Sequence, residues 1–324
     1  MNLFFLAKKF PTEEHALAYL MKTRWPYGVR CMACDHPKCW LTESKGKTGK
    51  PRRLFQCAEC GWQFSATTGT LFHDSHLPLQ KWFAVMALMV EGKKGISAAQ
   101  VQRHVGMTYK TAWYVCHRIR QAMQEEADFT VGGPDTTVEI DEMYVGGRRR
   151  LQGVKGLPSK PNKTVVVGMA ERHGKLHMRV VPSNTLQNLR RVYNDHVDTD
   201  TRKVVTDGNP TYRGVVPRAK HRQGNHDEEI RDKGRVTSTY TVESAFSLFK
   251  RGIVGNYHRL SAEHLDRYLG EFCWRYNRRR MQPWLFDMAL QNLTKRKPLP
   301  YKVLTDDGFY TFKKDLTDWY TGQF

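Results

Sequence analysis

Two groups of residues in this 324-residue chain have the types and spacing to hold metal ions. The first is built on sulfur. Cys31-Met-Ala-Cys34 and Cys57-Ala-Glu-Cys60-Gly61 form two short knuckles with 22 residues between them, and four thiolates so arranged close a tetrahedral shell around one Zn²⁺ with no open position for chemistry. Such a site is structural. Cys39 lies between the knuckles and competes as a ligand, which leaves the fourth place in the shell less fixed than the other three. The second group is built on carboxylates. VEIDEMYV, from Val138 to Val145, alternates like a strand yet carries Glu139, Asp141 and Glu142, a costly choice for a half-buried strand unless a divalent cation offsets the charge. Farther on, the apolar run before Asp207 stops at Asp207-Gly208-Asn209-Pro210, which is also ordinary turn chemistry. Glu243 opens a helical pattern with the apolar stripe Val242, Ala245, Phe246, Phe249 and Ile253. Lys250 projects from the same face as Glu243, about 10 Å along the axis, so a metal at one end and a phosphate at the other are both within reach.

The elements that must position these residues fall into four segments. Residues 1–75 hold an N-terminal helix and the paired cysteines, 76–128 read as helices, 129–290 begin with strands and end with helices, and 291–324 form a tail without an assigned role. The strand-like runs are Thr137–Val145, Lys163–Met169, Lys175–Val181 and Lys203–Thr206. Between the first two, Gly146 to Asn162 is rich in Gly, Pro, Lys and Arg and reads as a mobile basic loop. In the helical segment, Ser97 to His104, the break Val105-Gly106-Met107, and Thr108 to Met123 have the layout of a helix-turn-helix. Ala112, Val115, Cys116, Ile119, Ala122 and Met123 make its second helix amphipathic, with Lys110, Trp113, Tyr114, His117, Arg118 and Gln121 opposite. On DNA, Thr108, Tyr109 and Lys110 would lie nearest the base edges and Arg118 nearer phosphate. An amphipathic hairpin in a helical core has the same periodicity; the basic face favours DNA.

Composition narrows the partners. With 52 Lys+Arg against 32 Asp+Glu the formal charge is +20, and the basic clusters Arg148-Arg149-Arg150 and Arg278-Arg279-Arg280 suit a polyanion. Lys45, Lys47, Lys50, Arg52 and Arg53 add a basic rim ahead of the second knuckle. The longest uncharged apolar run, Trp82 to Val90, is too short to span a bilayer, and Met1 to Ala7 lacks a signal-peptide core, so a cytoplasmic protein without membrane contact is expected. Seven cysteines, four of them in Cys-x-x-Cys pairs, then favour metal over disulfides.

Asp141 and Asp207 are separated by 65 residues, and Asp207 and Glu243 by 35. Together with Lys250 they resemble the DDE signature of RNase H-like polynucleotidyl transferases. The segments EIDEMYVGG, KTVVVGMAERHGKL, VVTDGNPTY and VESAFSLFKRGIVGNYHRLSAEHLDRYLGEFCWRYNRRR, with the preceding Cys-x-x-Cys pairs, resemble insertion-sequence transposases of the ISXO type over roughly residues 12 to 280. Thr241 departs from the Asn often found two residues before the glutamate in that family.

The resemblance implies an α/β fold, an RNase H-like mixed sheet flanked by helices, preceded by a zinc ribbon and a helix-turn-helix. Asp141 is implied on its first strand, Asp207 at the end of a later one and Glu243 on a following helix. It implies two catalytic Mg²⁺ ions, with Mn²⁺ as a substitute, held by Asp141, Asp207 and Glu243, and one structural Zn²⁺ on Cys31, Cys34, Cys57 and Cys60. The implied activity is cutting of the element's ends and joining of the freed 3′ ends to target DNA. Its partners are double-stranded DNA, both ends and target, and at least one further copy of the chain; when bound to DNA the protein is nucleoid-associated. Glu139 or Glu142 is an alternative first ligand, since a shift of one residue reverses the face of a strand. His221, His226 and Asp227-Glu228-Glu229 read as an exposed loop, and Asp306-Asp307-Gly308 as a turn. The competing function is a zinc-ribbon and helix-turn-helix transcription regulator without catalysis, which would leave supercoiled plasmid intact with or without Mg²⁺.

Overall fold

Leu79–Glu91 is apolar nearly all round, and in the computed structural model it is the buried centre of a helical layer: Leu79, Trp82, Phe83, Met86, Met89 and Val90 all lie inside. The structure describes residues 3–45, 51–146, 163–224 and 238–305. Outside these fall the basic loop from residue 147 to 162, Lys47 and Lys50 of the basic rim, His226, Asp227 to Glu229, and Asp306-Asp307-Gly308. The chain divides into two units, one of Met1–Gly92, Ile96–Met123 and Met281–Lys302, the other chiefly of Gln124–Arg280, joined by Lys93–Gly95 and Val303–Phe324.

In the first unit α1 (Leu3–Lys9) and α2 (Glu13–Arg24) precede an antiparallel sheet of β1 (Cys39–Lys45), β2 (Pro51–Cys57) and β3 (Gln63–Phe64). The next helix, α3 (Leu79–Glu91), follows Pro78, which offers no capping side chain; Glu13 of α2 accepts from its Leu79 and Gln80 N–H groups instead, at 2.8 and 3.3 Å. Ser97 and Gln100 form a capping box at the start of α4 (Ala98–Val105), Gly106 ends it in a left-handed turn (φ 65°), and Thr108 caps α5 (Tyr109–Ala122). These are the two helices and glycine turn expected from the periodicity.

The chain later returns to this unit. The stripe Leu285, Phe286, Ala289, Leu290 and Leu293 of Leu285–Lys295 is buried in it, and Phe286 meets Phe83 edge-on at 5.5 Å. The unit boundary therefore falls between Arg280 and Met281, not at residue 290, because that apolar stripe finds its partner in α3.

The second unit is a mixed five-stranded sheet in the order β6-β5-β4-β7-β8: β4 is Thr137–Val145, β5 Thr164–Glu171, β6 Leu176–Val181, β7 Lys203–Thr206 and β8 His221–Gln223. β4, β5 and β6 are antiparallel neighbours, whereas β7 runs parallel to β4 and β8 parallel to β7. β5 is buried along almost its whole length because helices cover both faces. On one face α6 (Leu186–His196) packs with Val138, Ile140, Val167 and Met169; on the other α7 (Tyr240–Gly252) and α8 (Leu265–Asn277) pack with Met143, Val145 and Val166. His221 is not in a loop: it lies in β8, half-buried, with Nε2 2.8 Å from the Thr206 hydroxyl.

Candidate active site and metal centres

The two knuckles have the same backbone design. The residue after each second cysteine is left-handed, Asp35 at φ 58° and Gly61 at φ 68°, and donates to the carbonyl of the first cysteine at 2.9 and 3.2 Å. Each first cysteine then donates to the carbonyl five residues on, Cys31 to His36 and Cys57 to Trp62. The turns present all four sulfurs to one point. Cys31 to Cys60, Cys34 to Cys57 and Cys34 to Cys60 are each 3.6 Å apart. A tetrahedral Zn²⁺ with bonds of about 2.3 Å needs sulfurs about 3.8 Å apart, so the set fits zinc without rearrangement. Backbone N–H groups of Cys60 and Glu59 aimed at the Cys57 sulfur pull its thiol down to about 6, toward the thiolate a metal requires. Cys39 is outside the set, its sulfur turned to the His36 carbonyl at 3.9 Å.

The carboxylates meet through strand pairing. β4 and β7 run parallel with Ile140 opposite Thr206, so the residues that follow come side by side: Asp141 within β4, and Asp207 just past the end of β7. Oxygens of Asp141, Glu142 and Asp207 lie within 4.8 Å of one another. Asp207 also caps its turn, accepting from the Asn209 N–H at 3.1 Å, and Asp141 accepts from the Glu142 N–H at 2.7 Å. Burial pushes Asp141 up to about 6; the charges of Asp207 and Glu243 add to the rise and Lys250 opposes it. Glu142 is pushed up to about 7 by burial, with Tyr212 holding it down and the two aspartates raising it further. Among the described residues its Oε1 and the Tyr212 hydroxyl beside it have no partner apart from each other. Negative charge packed this closely suits a hard divalent cation.

Glu243 and Lys250 of α7 line a cavity of about 670 Å³ together with Asp141, Glu142, Ser247, Arg251 and Lys94. The Thr239 hydroxyl donates to Glu243 Oε1 at 2.6 Å and fixes the direction of that carboxylate. The tight oxygen group is thus Asp141, Glu142 and Asp207, and Glu243 is outside it but lines the cavity that Asp141 and Glu142 reach. Glu142 joins Asp141 and does not replace it. Glu139, the other alternative ligand, is 1% exposed and lies away from this group, paired with Arg172 at 2.8 Å. Sequence reasoning missed Tyr212 and Lys94; a Tyr five residues after Asp207, in a polar turn, was the one available signal for the first.

At the helix pair, Thr108, Tyr109 and Lys110 are exposed. Arg118 is a correction. It is 3% exposed, donates to the His73 carbonyl at 2.7 Å and lies over the Tyr114 ring, so it braces the helical layer and is not free to meet phosphate. His117 is buried too, since the helix packs on α3 through more than its apolar stripe.

Residues 131–277 match the ISXO2-like transposase domain, and residues 11–63 match the transposase zinc-ribbon domain. The chain belongs to the ISXO2-like transposase family. It is also similar to an uncharacterized protein in transposable element ISH50 of Halobacterium salinarum, 28% identical over 286 residues that cover 82% of this chain and 91% of that protein. The family domains make it an insertion-sequence transposase with a zinc ribbon. Among the described residues no helix is long and apolar enough to cross a membrane.

Proposed function

We propose that the chain binds the terminal inverted repeats of its element, cuts the DNA there and joins the freed 3′ ends to a target. The observation that carries this reading is the convergence of Asp141, Glu142 and Asp207 within 4.8 Å beside a cavity that Glu243 and Lys250 also line. The strand order β6-β5-β4-β7-β8, three antiparallel strands continued by two parallel ones, supports an RNase H-like fold for the domain. Mg²⁺ ions held by these carboxylates supply activation of the attacking oxygen and stabilisation of the leaving 3′ oxygen. The chain's own part is placement. Strand pairing fixes Asp141 beside Asp207, Thr239 aims Glu243 into the cavity, and Lys250 and Arg251 offset the charge of a bound phosphodiester.

DNA recognition is assigned to the zinc ribbon and to the exposed start of α5, Thr108, Tyr109 and Lys110. Two ends must be held together for joining, so the active form is at least a dimer. The deciding assay follows a donor plasmid carrying the element's ends. Asp141→Ala, Asp207→Ala and Glu243→Ala are each expected to lose Mg²⁺-dependent cleavage and joining while still shifting end DNA in a gel. Full activity in all three variants, or a wild type that leaves the plasmid intact with Mg²⁺, refutes the reading and leaves a DNA-binding regulator.

A further inference from the structure

Glu139 stands two residues before Asp141 on β4, and Thr241 stands two residues before Glu243 on α7. Strand alternation puts Glu139 on the same face as Asp141, the face that α7 covers. Each oxygen of the buried Glu139 carboxylate has two donors there. Oε1 accepts from Arg172 Nε at 2.8 Å and the Thr241 hydroxyl at 3.0 Å; Oε2 accepts from the backbone N–H groups of Thr241 at 2.6 Å and Val242 at 3.2 Å. Those two N–H groups belong to the first turn of α7 and have no partner within the helix. A residue at the helix start normally takes them. Here Thr239 has turned its hydroxyl to Glu243, and Glu139 takes the donors from another element. Arg172 completes the junction by donating from Nη2 to the Ser238 carbonyl at 2.9 Å, just ahead of the helix. Gly168, opposite Asp141 on β5, lets the helix lie close: a Cβ there would stand 2.5 Å from the Phe246 ring and 2.8 Å from Val242.

We infer that Glu139 is a positioning residue, a clamp that joins β4 to the first turn of α7 and so sets Glu243 at its distance from Asp141. The clamp reaches both elements at the same two-residue offset, so the strand carrying one candidate ligand holds the helix carrying another. The sequence spends a buried charge on this, satisfied by four donors and neutralised by Arg172 and the positive end of the helix. The inference rests on the proposed function in one respect, that Glu243 takes part in cation binding.

The test uses the full chain, Mn²⁺ as the probe and Glu139→Gln, Glu243→Gln and the double variant. Glu139→Gln is expected to weaken Mn²⁺ binding about tenfold, as loss of an outer-shell partner does. In the Glu243→Gln background the same change is expected to cost less than about twofold, since the clamp acts through Glu243. Thr241→Ser, which keeps the hydroxyl, should bind Mn²⁺ like the wild type, and Thr241→Val should not. Amide exchange at Thr241 and Val242 is expected to speed up in Glu139→Gln. A lower melting temperature with unchanged Mn²⁺ affinity, equal losses in both backgrounds, or unchanged exchange at those amides overturns the inference. If Glu243→Gln alone binds Mn²⁺ as the wild type does, the functional assignment of Glu243 fails, and faster exchange in Glu139→Gln still upholds the clamp as the junction of β4 and α7.

Discussion

The four thiols are brought together by two short turns inside one small ribbon, whereas the carboxylates of Asp141, Glu142 and Asp207 meet because two strands far apart in sequence run side by side. The thiol set has matched backbone geometry and sulfurs already at tetrahedral spacing. The carboxylate set is lopsided and half-buried, and its charges repel one another. A site that only holds its surroundings together can close completely. One that must admit a phosphodiester is left with unbalanced charge beside a cavity, and the fold has to restrain that charge from outside through Thr239 and Lys250.

The largest effect should come from the sulfur site. Stripping zinc with a chelator, or replacing Cys31 and Cys57 by Ser, is expected to unfold the ribbon, since structural zinc contributes on the order of 10 kcal/mol at such sites. Limited proteolysis should then gain cuts near residues 31–60 while the cutting pattern of the second unit is unchanged; coincident loss of both units would contradict a local role. Next, Asp207→Asn should lower end cleavage by about a hundredfold to a thousandfold or more, at unchanged or raised melting temperature because repulsion is relieved. A collapse of the fold would show that the carboxylates are structural. Third, Gly168→Ala should destabilise the protein by about 1–3 kcal/mol in denaturant titration, because the added methyl overlaps Phe246 and Val242. A neutral result would mean that α7 can move away from the strand.

The smallest effect is on pH. Asp141 and Glu142 sit at about 6 and about 7 in the metal-free fold, above the ordinary carboxylate range. The folded chain then keeps protons that the unfolded chain has released, so this contribution is complete below about pH 4 and is lost as pH rises through about 6 to 7. The difference in melting temperature between wild type and Asp141→Asn should widen over that window, with the wild type falling further, and Mg²⁺ should abolish the widening. A difference independent of pH would remove the repulsion argument.

How much of this could be read in advance depends on the distance over which each feature is decided. The knuckles are local, so cysteine spacing was enough to identify them, and the Ser97 and Thr108 caps and Gly106 are legible for the same reason. The limits of β4 and β7 also matched their alternation and the turn at Asp207. What escaped was decided by pairing. The sequence offers Glu142 as a substitute for Asp141; that both carboxylates meet Asp207 depends on β7 lying parallel to β4 with Thr206 opposite Ile140. Arg118 looked like part of a basic face because periodicity shows which residues share a side, not whether a neighbour such as Trp82 covers it. Glu139 looked like a ligand for the opposite reason: its compensating donors, Arg172 and the start of α7, lie far along the chain.

The return of Leu285–Lys295 to the first unit bears on synthesis. Ribosomes release α2, α3 and α5 early, but Phe286 and its neighbours emerge only after the entire transposase domain has left the tunnel. A nascent chain therefore carries apolar surface on Phe10 and Phe83 that stays uncovered until Phe286 has been made. Copies stopped before Met281 would leave those rings uncovered and are expected to be more readily proteolysed, so the helical layer reports on whether the transposase domain has been translated through.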